Sequence, residues 1–281
     1  MSVPILLTNP RAGLGERQLA FRGERFVLGS GPLPDLSGFS LLVLAGGDGT
    51  LQRTLTEALK QTPASALPPI AVLPAGRTNM TAADLNRHRR FAHCAQTLEA
   101  MLDGALPPAT ARPLVRVDQT DDHQYGWFFG IGAVCFGVAH WISDRPGSQL
   151  GTTLRTAWSS ARGYLAPSEH QTVRWNGQTR QVFAMIATSL NRLLFGCRPY
   201  WGDGEGMHNT WVFAEAPGRV RRSLRLLRGD ASLGRLPGYA SGNRTDFELE
   251  LDGPYVIDGE LFDNRGPLRL SLSEPLQWLA L

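Results

Sequence analysis

Leu41-Leu-Val-Leu-Ala-Gly-Gly-Asp-Gly-Thr50 limits the folds open to this chain more than any other stretch. A short apolar run ends in a glycine-rich turn, and a helical pattern of Leu51, Leu55 and Leu59 follows. Apolar runs of this length, closed by turn residues, read as buried strands. Strand, glycine turn and helix together make a natural anion site. Glycines let the backbone come close to a phosphate, and the helix start offers N–H groups and a positive dipole end. Asp48 sits awkwardly there, because a carboxylate repels phosphate. It becomes useful beside Mg²⁺, a sugar hydroxyl or a proton in transit. Taken alone, the same residues also make a tight turn with Asp48 as a cap.

Two neighbouring stretches repeat the pattern. Val3–Thr8 reads as a strand running into Asn9-Pro-Arg-Ala-Gly13, and Ile70–Leu73 as a strand running into Pro74-Ala-Gly-Arg-Thr-Asn79. Arg11, Arg77 and Thr78 carry donors suited to phosphate oxygens, and Asn79 or Thr81 suits the cap of a following helix. A weaker strand is expected at Phe26–Leu28, with helices from about Leu51 to Lys60 and Phe91 to Leu102. Strands alternating with helices predict an open, largely parallel α/β sheet over residues 1–112. Ligands of such sheets gather at the carboxyl ends of strands. All three turns fall on that edge.

After residue 112 the pattern changes. Short strand-like segments dominate: 114–118, 125–131, 171–175, 181–189, 210–215, 247–251, 255–257 and 268–272. Phe247-Glu-Leu-Glu-Leu251 alternates cleanly, and Asn176-Gly177, Asp252-Gly253 and Asp258-Gly259 are hairpin turns by composition. Helices are expected over 149–165 and at Arg219–Leu227. Leu154, Trp158 and Tyr164 on the first of these read as core. Residues 113–273 therefore read as a second, β-rich domain.

Composition narrows the function. A net charge of +3 and a pI near 9.0 are too mild to indicate nucleic-acid binding. The positive charge is almost entirely arginine, with Lys60 the only lysine. Cys94, Cys135 and Cys197 are widely spaced and odd in number, which fits neither a disulfide framework nor a zinc site and points to a reducing compartment. No signal peptide is read at the N-terminus, and the longest uncharged apolar run, 127–142, is too short to span a bilayer. The six histidines show no metal spacing.

Two features of the β-rich half bear on chemistry. In Asp258-Gly-Glu260 the first two residues make a turn and Glu260 emerges just past it, where a carboxylate suits a general base or a metal ligand. Asp-Gly turns are common, and taken alone this one is usually structural. Asp118, at the end of a strand, is placed to orient such a base or simply to face solvent. Arg219, Arg221, Arg222, Arg225 and Arg228 lie against Val220, Leu224 and Leu227 at helical spacing. Such a helix either packs by its apolar face or docks on anionic lipid.

Asn9–Gly13, Gly46–Thr50, Leu73–Asn79 and Ile257–Glu260, in that order, resemble the catalytic domain of diacylglycerol and sphingosine kinases, most of all the bacterial soluble lipid kinases. Gly46–Thr50 is shared with NAD kinases, whereas the Asp258–Glu260 element belongs to the lipid-kinase branch. The resemblance implies an N-terminal α/β nucleotide domain, a C-terminal β-sandwich and a ligand cleft between them, with residues 274–281 returning to the first domain. It also implies ATP with Mg²⁺ as cofactors and transfer of a phosphoryl group to a lipid hydroxyl.

By position, Asn9, Pro10, Arg11, Gly13, Gly46, Gly47, Gly49, Thr50, Gly76, Arg77, Thr78 and Asn79 would hold the nucleotide. Asp48 would lie near the phosphates and metal, Glu260 would take the hydroxyl proton, and Asp118 and Asp258 would support the site. The chain departs from the family pattern in a short approach from Gly13 to Gly46, in Met80 and in Gly137, where members commonly carry Asp at the latter two. The expectation is a cytoplasmic, ATP-dependent lipid kinase, peripheral on the inner face of the membrane, with no nucleic-acid partner. The alternatives are a non-catalytic lipid or nucleotide sensor on the same fold and, less favoured, an NAD kinase.

Overall fold

A computed structural model describes residues 2–10, 19, 21–143 and 170–281, with no side-chain description for 140–143. The helix expected over 149–165, and Arg11 and Gly13, lie outside the described residues. The chain divides into two units, Met1–Leu114 with Glu274–Leu281, and Val115–Ser273.

The first unit is built on a sheet of six strands among the described residues. Its strands are β1 (Pro4–Thr8), β2 (Glu24–Val27), β3 (Leu41–Gly46), β4 (Ile70–Pro74), β5 (Thr110–Arg112) and β17 (Leu276–Leu279), in the order β2-β1-β3-β4-β17-β5. All pairings are parallel except that of β17 with β5. Among the described residues, helices α1 (Asp48–Gln61), α2 (Met80–Leu85) and α3 (Phe91–Asp103) accompany it.

Burial explains why β3 and β4 read as continuous apolar runs rather than alternating ones. Residues on both faces of each strand are inside, as parallel sheets require. On one face Leu6, Leu41, Val43, Ala71 and Leu73 pack with Cys94, Ala95 and Leu98 of α3. Ile5, Leu7, Leu42, Leu44 and Val72, which alternate with them, are also buried, as are Leu51 and Leu55 of α1. The chain's last residues are firmly held: the Leu281 carbonyl accepts from the Arg87 and His88 N–H groups at 2.7 and 3.0 Å. Trp278 Nε1 donates to the Arg112 carbonyl at 3.2 Å.

Among the described residues, the second unit is an antiparallel sheet of eleven strands. They are β6 (Val115–Asp118), β7 (His123–Gly126), β8 (Phe128–Gly132), β9 (Gln171–Trp175), β10 (Gln178–Thr188), β11 (Met207–Phe213), β12 (Tyr239–Arg244), β13 (Asp246–Leu251), β14 (Gly253–Ile257), β15 (Glu260–Asn264) and β16 (Pro267–Leu272). Helix α4 (Ala133–Ser143) follows β8, and α5 (Arg219–Leu227) lies between β11 and β12.

The expected sandwich takes the form of one curled sheet. Strand β10 pairs with β9 over 178–182 and with β8 over 184–188, and its ladder with β11 shifts register between those two stretches. Bulges of this kind bend a strand and let it serve two neighbours. The two ends of the sheet then meet, because Gln119 Nε2 donates to the Asp263 carbonyl at 3.1 Å and to Asn264 Oδ1 at 3.0 Å.

Inside lies one aromatic and aliphatic core that includes Phe129, Trp211, Phe247, Leu249, Tyr255 and Leu268. Trp175 stacks on Trp211 with ring centroids 4.7 Å apart. Asn176 and Gly177 both have positive φ (51° and 73°), the hairpin geometry that their types predict. The segment expected as one strand over 125–131 is two, β7 and β8, because Trp127 turns its N–H to the Asp258 carboxylate instead of a neighbouring strand.

The end of β10 is pinned to β8 by a buried hydroxyl. Thr188 Oγ1 donates to the Trp127 carbonyl at 2.8 Å and accepts from the Leu190 N–H at 3.1 Å. Thr188→Val keeps the shape and removes the acceptor of the Leu190 N–H, while the Trp127 carbonyl keeps the Ser189 N–H at 3.1 Å, so urea unfolding is expected to show a loss of about 1–2 kcal/mol. Thr179→Val, exposed on the same strand, is expected to stay within about 0.5 kcal/mol of the parent.

Candidate functional site

Strands β1, β3 and β4 are adjacent and parallel, so their carboxyl ends share one edge of the first unit. That edge brings Asn9, Gly46–Thr50 and Pro74–Asn79 together. Asn9 Nδ2 donates to Thr50 Oγ1 at 2.8 Å, tying the turn after β1 to the first turn of α1. The Ala75 N–H donates to the Gly46 carbonyl at 3.1 Å. Between these contacts two glycines touch. A Cβ on Gly76 would lie 2.2 Å from the Gly47 Cα, and a Cβ on Gly47 would lie 3.0 Å from the Gly76 Cα. Close approach of the two backbones, not unusual φ, requires glycine at position 76 and makes position 47 tight.

Helix α1 starts at Asp48, three residues before the expected Leu51, so Asp-Gly-Thr is its first turn rather than a loop before it. Gly47 is the N-cap, with extended φ/ψ of −95° and 178° and no side-chain cap. The Gly47 carbonyl accepts from the Thr50 and Leu51 N–H groups at 2.9 and 3.0 Å. The earlier N–H groups of a helix have no intrahelical acceptor, and the dipole makes them attractive to anions.

Asp48 is only 7% exposed. Its Oδ2 accepts from Thr78 Oγ1 at 2.7 Å and from the Met80 N–H at 3.0 Å, while Oδ1 accepts from the Thr81 N–H at 2.9 Å. The carboxylate thus satisfies the first N–H groups of α2. Asn79 occupies the N-cap position of α2 but does not cap it. Left-handed at φ 47°, it folds back on Gly76, accepting from that N–H at 2.7 Å and donating to that carbonyl at 2.8 Å. Asn79 therefore shapes its own loop, and the capping expected of Asn79 or Thr81 comes from Asp48. Pro10 and Arg77 are exposed, and Gly49 and Thr78 half-buried.

The second unit uses a carboxylate in a similar way. Asp258 is 5% exposed and left-handed at φ 47°. Its Oδ2 accepts from the Trp127 N–H and its Oδ1 from the Phe128 N–H, both at 2.9 Å, while its own N–H donates to the Phe128 carbonyl at 3.0 Å. Gly126 completes the fit, since a Cβ there would lie 2.8 Å from Asp258 Oδ2 and 2.3 Å from Ile257 Cγ2. The β14–β15 turn is therefore fixed, and half-buried Glu260 begins β15 opposite Ile257.

Asp118 is set apart from that turn. It pairs with His123 at the far end of the β6–β7 ladder from Gly126, roughly 10 Å away at 3.4 Å per residue, and it accepts from Arg116 Nε at 2.7 Å. Gly126 and the N–H groups of Met80, Thr81, Trp127 and Phe128 escaped the sequence reading. Only Gly126, a glycine inside an apolar strand, carries a sequence signal of close backbone approach.

The arginines of α5 divide. Arg219 lies over the Phe183 ring at 4.2 Å and bonds His170 Nε2 at 3.1 Å. Arg222 Nη1 donates to the Pro217 carbonyl at 2.6 Å. Arg225 pairs with Asp230 at 2.7 Å, and hydrogen bonds from Ser232 and Arg225 hold the Asp230 carboxyl down at about 2. Arg221 and Arg228 are exposed. Among the described residues no three His, Cys, Asp or Glu side chains gather as a metal site, and no helix is long and apolar enough to cross a membrane.

Residues 34–109 match the family model of the diacylglycerol kinase catalytic domain, the family that the four motifs resemble. No curated protein matches the chain. Among solved structures, a diacylglycerol kinase from Bacillus anthracis superposes with a TM-score of 0.61 at 15% identity, covering 100% of this chain and 97% of its own. Another structure assigned to the same activity in that organism gives 0.66 with the same identity and coverage. Yeast NADH kinase, complexed with NADH, gives 0.52 at 8% identity over 100% and 84%. These likenesses establish the fold.

The two buried carboxylates can be tested without any ligand. Asp48→Asn and Asp258→Asn keep the size of the side chain but replace an acceptor oxygen with a donor amide facing backbone N–H groups. Each is expected to cost about 2–3 kcal/mol. Amide exchange should quicken at Met80 and Thr81 in the first variant and at Trp127 and Phe128 in the second. Unchanged exchange at those positions would contradict the assigned bonds.

Proposed function

We propose, from the premise that residues 34–109 carry the diacylglycerol kinase catalytic pattern on a fold shared with the Bacillus anthracis structures, that this protein is an ATP-dependent lipid kinase. One observation carries the reading: α1 opens without a side-chain cap between two touching glycine turns. That arrangement suits the polyphosphate of a nucleotide, whose oxygens would accept from the first N–H groups of α1. Asn9 and Thr50, bonded to each other, and Arg77, exposed on the next turn, flank it.

Glu260 turns binding into chemistry. As general base it takes the proton of a lipid hydroxyl, the hydroxyl oxygen bonds to the γ-phosphorus, and the bond to the bridging oxygen breaks as ADP leaves. Asp258 contributes by holding the turn, so that the base is positioned before substrate arrives. Mg²⁺ would arrive with the nucleotide, keeping phosphate and water ligands and neutralising phosphate charge. Asp48 is the carboxylate at hand for it, although three donors already occupy its two oxygens. A diacylglycerol-like lipid is the acceptor class that the resemblance implies, met at the inner face of an anionic membrane.

The engagement of Asp48 favours one rival, a lipid or nucleotide sensor that performs no transfer. ATP titration with and without Mg²⁺ separates the two, and no binding at millimolar ATP supports the sensor. The yeast NADH kinase likeness keeps an NAD kinase as the lesser rival, recognised by formation of NADP from NAD and ATP.

The direct test is γ-labelled ATP against a lipid panel. Glu260→Gln is expected to lower transfer by about 10²–10⁴-fold, the usual contribution of a general base, with ATP binding unchanged. Transfer at the wild-type rate would remove Glu260 from the mechanism.

A further inference from the structure

Helix α5 is mounted with its greasy side out. At 3.6 residues per turn, Leu226 shares a face with Arg219, Arg222 and Ser223, and these are the residues turned inward. Leu226 joins Phe183, Val212, Ala216, Leu233 and Tyr239 in a buried cluster. The Arg219 guanidinium covers the Phe183 ring, and Arg222 closes on Pro217. The aliphatic stripe of the helix is left outside, with Val220 56%, Leu224 65% and Leu227 42% exposed. A surface helix ordinarily buries such a stripe. Beside it runs a second stripe of Arg221, Arg225 and Arg228.

An independent feature adjoins it. Phe195 is 59% exposed and left-handed, at φ 58°, in the tight turn that the Leu193 N–H closes onto the Cys197 carbonyl at 2.8 Å. Bulky residues avoid that conformation unless their surroundings impose it. The turn is fastened to the end of α5, because the Arg198 N–H donates to the Leu227 carbonyl at 3.0 Å. A phenyl ring is thus held out at the end of the aliphatic stripe, between exposed Arg192 and Arg198.

We propose that the α5 stripe and the Phe195 turn are one docking surface for an anionic lipid bilayer, with Phe195, Val220, Leu224 and Leu227 entering the acyl boundary. Arg221 and Arg228 meet the headgroups. Arg225 contributes less, since Asp230 already neutralises it. The occupant is identified by charge: apolar side chains ringed by arginines match a surface that is oily within and negative at its rim. This inference rests on the membrane contact in the reading above and names the groups that make it.

The test uses the full chain and vesicles of phosphatidylcholine with or without phosphatidylglycerol. Wild type is expected to float with the anionic vesicles and to detach as salt rises. The triple variant Val220→Ser, Leu224→Ser, Leu227→Ser changes only exposed side chains and should weaken partitioning by about tenfold or more, as should Phe195→Ser with Leu224→Ser. Arg221→Ala with Arg228→Ala should weaken it more than Arg225→Ala.

Brominated lipid should quench the additional emission of Phe195→Trp. Wild-type partitioning of the triple variant overturns the proposal, and so does quenching no greater than in the parent. A triple variant that loses self-association in sedimentation while still floating assigns the surface to a second copy of the chain instead. Glu260→Gln should float like wild type, so a failed kinase assay and a failed flotation are separate results.

Discussion

A single buried carboxylate links the starts of two helices. Asp48 is the first residue of α1, where a negative side chain suits the helix dipole, yet its oxygens are turned toward α2. The bonds to Thr78, Met80 and Thr81 draw the loop after β4 against the turn after β3. The glycine contact between Gly47 and Gly76 is the geometric result. Without that pull the two strand ends would still be neighbours in the sheet. Their loops would not converge beside the N-terminus of α1.

The second unit reaches a comparable result with different parts. Asp258 is not at a helix; it sits in a left-handed turn and accepts from two consecutive backbone N–H groups. Those N–H groups are free to turn toward it because β7 and β8 are interrupted at Trp127. Gly126 clears the space for the carboxylate. The interruption of a strand, the glycine before it and the aspartate of a distant hairpin are therefore one device. It fixes where β15 begins, and with it the position of Glu260.

Much of the architecture is readable from the chain. β3 and β4 announce themselves as apolar runs because both faces are covered, and β13 alternates because only one face is. The change from helix-strand alternation to hairpins marks the change from a parallel to an antiparallel sheet. Less is readable where backbone atoms do the work. Asp48, Asp258 and Glu260 stand out as chemistry-bearing residues, but nothing in their spacing says that two of them accept from amides far along the chain. Periodicity identifies α5 as amphipathic and cannot say which side is packed. Leu226, a single leucine, wins that contest because Phe183 and its neighbours provide a pocket, while the arginines beside it have rings and carbonyls to meet.

The Gly47–Gly76 contact has a further consequence for how such a sequence can drift. Most tightly packed pairs change together, one side chain shrinking as the other grows. Here neither partner has a side chain to give up, and an added methyl at position 76 would meet the Gly47 backbone first, at 2.2 Å, and then the Asn79 amide at 2.9 Å. No second substitution at the partner can restore the space. The contact is a dead end for compensation, so a sequence that keeps this edge of the sheet keeps Gly76 or must rebuild the two loops at once.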